Sequence, residues 1–280
     1  MIIAVLVVLG LCLGSFINAL VWRLHEQELE SSKSSPKKAY LRQLSVKKGR
    51  SICPECKHEL AFKDLIPVIS WISLSGRCRY CGKPIAWQYP AVELGTAGLF
   101  VASYVWWPHT FDVVQKLVFI VWLAILTGLV ALFVYDIRWK LLPNRLTYPL
   151  TSLAALMAII SIVAANRPFT ALLNMIGAVL VGGGLFYILF QVSDGKWIGG
   201  GDVRLGWLLG LIIGTPARSL LFIFLAAIGG SLVTAPGLAT GKLNRTSVIP
   251  FGPLLIAGAI VVQLFGGDIL HWYRATFITF

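Results

Sequence analysis

Long apolar runs, interrupted only rarely by charge, set the limits on what this chain can become. Met1–Trp22 carries no charged side chain. Seven further runs follow at Tyr89–Trp107, Leu117–Tyr135, Leu146–Ala165, Ala171–Val192, Ile198–Ala217, Ser219–Gly241 and Val248–Gly267. About 20 apolar residues in a helix cross the ~30 Å hydrocarbon core of a bilayer. Charged residues make up 13% of the chain, roughly half the ~25% of a soluble domain. A soluble core is excluded, and the pattern predicts an all-α polytopic membrane protein.

The formal charge is +12, which invites a nucleic-acid reading. The distribution argues against one. Thirteen of the 24 Lys and Arg lie between Arg23 and Lys83, the signature of a loop retained on the cytoplasmic side. Anionic lipid headgroups attract the same loop. A signal peptide places basic residues before its apolar stretch, whereas Arg23 follows it here. The first segment therefore reads as a true span with its N-terminus outside.

The sixth run is ambiguous, because only Leu205–Ala217 within it is uncharged. It reads either as a span or as a re-entrant element. Charge counting gives 20 basic residues inside and 4 outside in both cases. Orientation is thus supported through Val192 and open beyond it.

Glu26–Trp87 is the long polar region. Its first half, with the acidic Glu26–Glu30 stretch and the string SSKSSPKK, is expected to be a flexible linker. Its second half holds Cys53-Pro-Glu-Cys56 and Cys78-Arg-Tyr-Cys81, two pairs separated by 21 residues. Each pair offers two thiolates from one turn, and four close a tetrahedral zinc site. The separation slightly exceeds the usual zinc-ribbon range. Reducible disulfides and free thiols are the competing readings, the first disfavoured in a cytoplasmic loop. A closed four-thiolate shell is structural, since a catalytic zinc keeps one position open. Cys12, alone in the first run, reads as a small buried hydrophobe. The chain thus divides into a first transmembrane helix (1–22), a cytoplasmic loop with the zinc module (23–88) and a transmembrane helical domain (89–280).

Four of the twelve acids stand where the membrane disfavours them: Glu93, Asp136, Asp194 and Asp202. An ionisable residue at membrane depth is a functional candidate by default. Asp136 ends the third span, where capping or pairing with Arg138 would also explain it. Asp202 follows Gly199, Gly200 and Gly201, which permit unusual dihedrals and close approach of an extended peptide. An ordinary helix N-cap is the plainer reading of Asp202. Both aspartates fall on one predicted side of the membrane. Two adjacent carboxylates resist ionising together, so one keeps a proton. The ionised partner can then activate water while the protonated one polarises a scissile carbonyl. The pair titrates as a unit, so acid and base are not assigned to individuals. Glu93 reads as a structural partner for a basic residue, or else as a site residue. Asp194 competes with Asp202 but lacks its glycine approach.

Several strings together resemble the type IV prepilin peptidase family. They are Gly14-Ser15-Phe16-Ile17-Asn18, SICPECKHELAFKDLIPVISW with GRCRYCGKPI, Asp136-Ile137-Arg138 with Leu142-Pro143-Asn144, GGGDVRLG around Asp202, and Pro250-Phe251-Gly252-Pro253. The resemblance runs from residue 14 to 253. It implies an eight-helix inner-membrane protease whose catalytic residues are Asp136 and Asp202. Its implied substrates are precursors of type IV pilins or type II secretion pseudopilins, cut after a glycine. It also implies S-adenosylmethionine-dependent methylation of the new N-terminal amine, with the cysteine loop typical of such bifunctional members. Arg204 departs from the family's usual lysine, and the two side chains differ in reach and hydrogen bonding. Two other functions compete: a transporter that uses the intramembrane carboxylates, and a silent scaffold of the secretion machinery. The sequence does not fix the oligomeric state.

Overall fold

A computed structural model describes residues 1–35, 37–46, 49–241 and 250–277. The start of the last apolar run, at Val248, and Pro36 of the linker string lie outside them. Among the described residues the regular structure is helical, with isolated bridges at Ile52–Glu59 and Arg77–Pro84 and no strand. The chain forms two compact units, Met1–Val105 and Trp106–Phe280.

The first unit contains α1 (Ile2–Ser31), α2 (Lys38–Gln43), α3 (Ile69–Ser73) and α4 (Gln88–Val105). α1 runs past Trp22 without a break, so Glu26–Glu30 is helical rather than a flexible linker. Glutamate is a good helix former, and Tyr40 of α2 donates to Glu26 (3.0 Å). α4 packs antiparallel on α1 at backbone distance. A Cβ on Gly10 would stand 2.5 Å from Ala97 Cα, and one on Gly14 2.6 Å from Glu93 Cα. Small residues permit such contact between membrane helices.

The second unit contains α5 (Val113–Trp139), α6 (Asn144–Val163), α7 (Pro168–Val179), a π turn at Leu180–Gly184, α8 (Leu185–Val192), α9 (Gly200–Ile213), α10 (Pro216–Ala239) and α11 (Gly252–Phe277). α5 is its core helix: 67% of its most apolar window is buried, against 11% for α10, whose exposed Leu220, Phe224 and Leu232 suit a lipid-facing position. α9 is largely enclosed, with Leu205, Leu208, Leu209, Ile212 and Ile213 buried. Gly182 and Gly183 of the π turn let it approach Gly206, Gly210 and the Trp207 ring. The π turn therefore falls where a regular helix with side chains would collide with α9.

Among the described residues six helices are long and apolar enough to cross a membrane: α1, α5, α6, the continuous Pro168–Val192 run, α10 and α11. About eight were expected, and α4 and α9 make the difference. α4 dilutes its apolar residues with Gln88, Glu93, Thr96 and Ser103. α9 has 14 residues, a rise of about 21 Å. That is short of the ~30 Å core, and it is the segment whose sequence was ambiguous.

Candidate functional site

Asp136 lies one turn before the end of α5 and is buried, beside the fully buried Tyr135. The helix stops at Lys140, in the left-handed conformation (φ 55°), whose N–H closes on the Asp136 carbonyl (2.8 Å). No ion pair joins Asp136 to Arg138 among the described residues. Arg138 lies over the Trp139 ring, 4.9 Å from its centroid. The Asp136 carboxylate instead accepts from the backbone N–H of Gly252, the first residue of α11. A side chain at Gly252 would collide with Asp136 Oδ2. Nothing in the sequence paired these two residues, although Gly252 belongs to the Pro250–Pro253 string.

Asp202 is the third residue of α9, so it is not the N-cap; Gly199 is. Its carboxylate faces the Gly199 backbone amide one turn earlier. The glycines adopt ordinary backbone: Gly199 is extended (φ −73°, ψ 146°), and Gly200 and Gly201 are helical. Unusual dihedrals, expected from sequence, are not their use. Gly201 is closely packed, since a Cβ there would lie 3.2 Å from the Leu142 side chain, which would have to give by a few tenths of an ångström. Gly199 is open, with Asp202 Oδ2 at 3.8 Å the nearest atom to a Cβ placed there.

Asp136 lies within electrostatic range of Asp202, so the fold places the two carboxylates in one neighbourhood. Arg204 fixes the geometry around them. Its Nε donates to Gly200 O (3.1 Å), and its guanidinium donates to Asn144 Oδ1 at the start of α6. α5, α6, α9 and α11 thus each contribute an end to one place. Asp194 is left out: it is exposed, in a turn with φ 48°, a conformation aspartate tolerates.

The first unit holds the cysteine centre, built from two similar turns. Lys57 N–H closes on Cys53 O (3.0 Å), and Gly82 N–H closes on Cys78 O (2.9 Å). Both closing residues have positive φ, 60° and 68°. Glycine meets that demand without strain at the second turn. The four sulfurs lie within 4.8 Å of one another, and all five cysteines are free thiols. Cys12 is exposed on α1 rather than buried, which is compatible with an apolar surround in a membrane. Backbone amides of Cys81 and Tyr80 overcome desolvation and bring the Cys78 thiol down to about 7, while burial pushes Cys53 up to about 11. The set can hold a metal ion. Salt bridges Lys83–Glu55 (2.7 Å) and Arg79–Asp64 (2.7 Å) cross between the two pairs.

Glu93 has no basic partner among the described residues. It accepts from the Val68 backbone N–H (2.7 Å) and from Ser15.

A family described as "Bacterial Peptidase A24 N-terminal domain" matches residues 8–107, and the "Type IV leader peptidase family" matches residues 117–235. The prepilin leader peptidase/N-methyltransferase of Bacillus subtilis is 30% identical over 97% of both chains. That of Pectobacterium carotovorum is 30% identical, covering 93% of this chain and 92% of its own. A type 4 prepilin-like proteins leader peptide-processing enzyme of Escherichia coli is 32% identical, over 90% and 89%. No solved structure matches. The chain belongs to the type IV leader peptidase family.

Proposed function

We propose that this chain removes the leader peptide from type IV prepilins or pseudopilins at the cytoplasmic face of the bacterial inner membrane, with Asp136 and Asp202 as the catalytic pair, and methylates the new N-terminal residue. The observation that carries this reading is the electrostatic proximity of two carboxylates at separate helix ends. One carboxylate takes a proton from water, and the water oxygen attacks the carbonyl carbon of the residue before the cut. The other, protonated, gives its proton to the carbonyl oxygen. When the tetrahedral centre collapses, the C–N bond breaks and the leaving amine takes up a proton. The open flank at Gly199 and Gly200 leaves room for an extended substrate strand beside Asp202.

Zinc fits the cysteine centre. Four thiolates ~2.3 Å from a tetrahedral zinc lie about 3.8 Å apart, and Cys53 Sγ and Cys81 Sγ are 4.0 Å apart. Cys53, Cys56, Cys78 and Cys81 would hold it, stabilising the fold of the loop. S-adenosylmethionine supplies the methyl group. A half-open surface hollow of about 540 Å³ in the first unit, lined by Glu26, Leu29, Glu30, Lys33, Lys37, Tyr40 and Lys57, is the place we assign to it. Its mixed carboxylate and ammonium lining suits the zwitterionic end of that molecule. Lys57, the closing residue of the first cysteine turn, reaches across to the Tyr40 hydroxyl (3.2 Å) and the Trp22 ring (5.1 Å). Loss of the metal therefore has a direct route to this cavity.

The test is to incubate purified protein in lipid with a prepilin and S-adenosylmethionine and to read product masses. A product shortened by the leader and heavier by one methyl group is expected. An unchanged precursor, with the protein folded, rejects the reading.

A further inference from the structure

Between the two cysteine pairs lies a stretch that metal binding does not explain. Leu65–Gly76 carries no charged residue, in the most basic part of the chain. It contains α3, and Ile66, Ile69 and Ile72 are exposed, the last two at 64% each. Ile69 and Ile72 are three residues apart in the helix and share a face. A module surrounded by water would hide such side chains or replace them.

The position of the stretch along α1 and α4 is fixed by Glu93. Gly14 of α1 is opposite Glu93 of α4, and Asn18 donates to Tyr89 O (3.1 Å) one turn nearer the loop. Arg23, the first charge on α1, is nine residues beyond Gly14, about 13 Å along the helix. Gln88, where α4 begins, is five residues from Glu93, about 7 Å. Yet Glu93 accepts the backbone N–H of Val68 (2.7 Å), the N-cap of α3. Glutamate leans toward the N-terminal end of its helix, which shortens this offset without removing it. Val68 therefore lies alongside the first turns of α4. A strained backbone (φ 61° at Val68) accompanies the contact. The other end of α3 is tied down as well, with the Trp71 indole N–H donating to Ile85 O (3.1 Å).

We propose that Leu65–Gly76 is seated in the lipid interface, with Ile66, Ile69 and Ile72 against acyl chains and Glu93 as the anchor that holds it there. Exposed Lys63 and Arg77 flank the stretch and provide charge for anionic headgroups. Trp87, 75% exposed just before α4, is the residue type that favours this level of a membrane. The occupant is lipid, because the anchor joins the stretch to α4, which is packed on α1, a helix long and apolar enough to cross a membrane. The cysteine module is then a membrane-surface element.

The experiment places a fluorescent amino acid at Ile69, at Ile72 or, as a control, at exposed Glu59 in the full chain. Each protein is reconstituted in phosphatidylcholine–phosphatidylglycerol vesicles with lipids doxyl-labelled near the top of the acyl chain. Metal content selects the folded fraction. Quenching at positions 69 and 72 is expected to exceed that at 59 several-fold, and Glu93→Ala is expected to reduce it. Equal quenching at all three positions overturns the proposal. So does quenching that vanishes when a pilin-derived apolar helix is added, which would give the face to a protein partner. Unchanged quenching in a folded Glu93→Ala protein removes Glu93 as the anchor. None of these readings depends on catalysis, so they stand apart from the enzymatic test.

Discussion

Cys53 and Cys56 meet within one turn, and Cys78 and Cys81 within another, whereas Asp136 and Asp202 reach each other from helix ends 66 residues apart. The cysteine centre is assembled by short hydrogen-bonded loops and by ion pairs that cross between them. The aspartate pair depends on the packing of α5, α6, α9 and α11, and on the glycines that let them approach. Damage to the first centre should stay local, within a unit of 105 residues. Damage to the second can come from any of four helices. The comparison also separates the tasks: a closed thiolate shell contributes shape, and a carboxylate pair contributes proton transfer.

The sharpest way to break the comparison is at the aspartates. Asp136→Asn and Asp202→Asn are each expected to lower the cleavage rate by roughly 10²–10⁴-fold, the usual weight of general acid–base catalysis, with the protein still inserted. Asp194→Asn, in its exposed turn, is expected to keep most activity. A precursor-processing time course checks all three.

At the cysteine centre, Cys78→Ser/Cys81→Ser is expected to abolish metal binding from about one zinc per chain. Elemental analysis reads that loss directly. Methylation is expected to fall with it, and cleavage to fall less. Full metal retention would reject the site.

Gly252→Ala is the intermediate case. It introduces a methyl group against the Asp136 carboxylate without touching an ionisable residue. A displacement of that kind is expected to cost roughly 10–10²-fold in cleavage. Normal cleavage in this variant would show that the Gly252 amide does not position the pair.

The smallest expected effect is at Asp64. Its carboxylate is desolvated, yet the Arg79 guanidinium (2.7 Å), the Tyr80 hydroxyl (3.1 Å) and the Ala61 N–H (3.2 Å) hold it below the usual carboxylate range. A depressed folded value stabilises the module above the unfolded value and is lost as pH falls through the folded one. Asp64→Asn is expected to cost the module about 2 kcal/mol at neutral pH, with the difference narrowing below pH ~4. Denaturation of the first unit at two pH values measures it.

Much of this was legible in the sequence because it is local. Hydropathy located the membrane helices, and C-x2-C spacing located the cysteine cluster, since each depends on neighbours in the chain. Gly82 announced its turn, and Lys57, which occupies the matching position, did not, because lysine gives no sign of positive φ. What stayed hidden were partners far apart in sequence. Glu93 was expected to find a cation and found the Val68 amide, 25 residues away. Gly252 was visible as part of a string, but its partner Asp136 lies 116 residues earlier. The glycines before Asp202 looked like conformational licence, whereas their backbone is ordinary and Gly201 instead sits close against Leu142. The length of α9 was ambiguous in the sequence for a physical reason: a helix enclosed by others does not need to match the bilayer.

One measurement tests the division of labour between the two regions most directly. Cleavage and methylation rates are read from product masses in the same reaction, for wild type, Cys78→Ser/Cys81→Ser and Asp202→Asn, the last also on a pre-cleaved pilin. The account predicts that the cysteine variant loses methylation more than cleavage, and that Asp202→Asn still methylates the pre-cleaved pilin while failing to cut the precursor. A folded cysteine variant that loses both rates in equal proportion would contradict it and make the metal-bearing loop part of the protease.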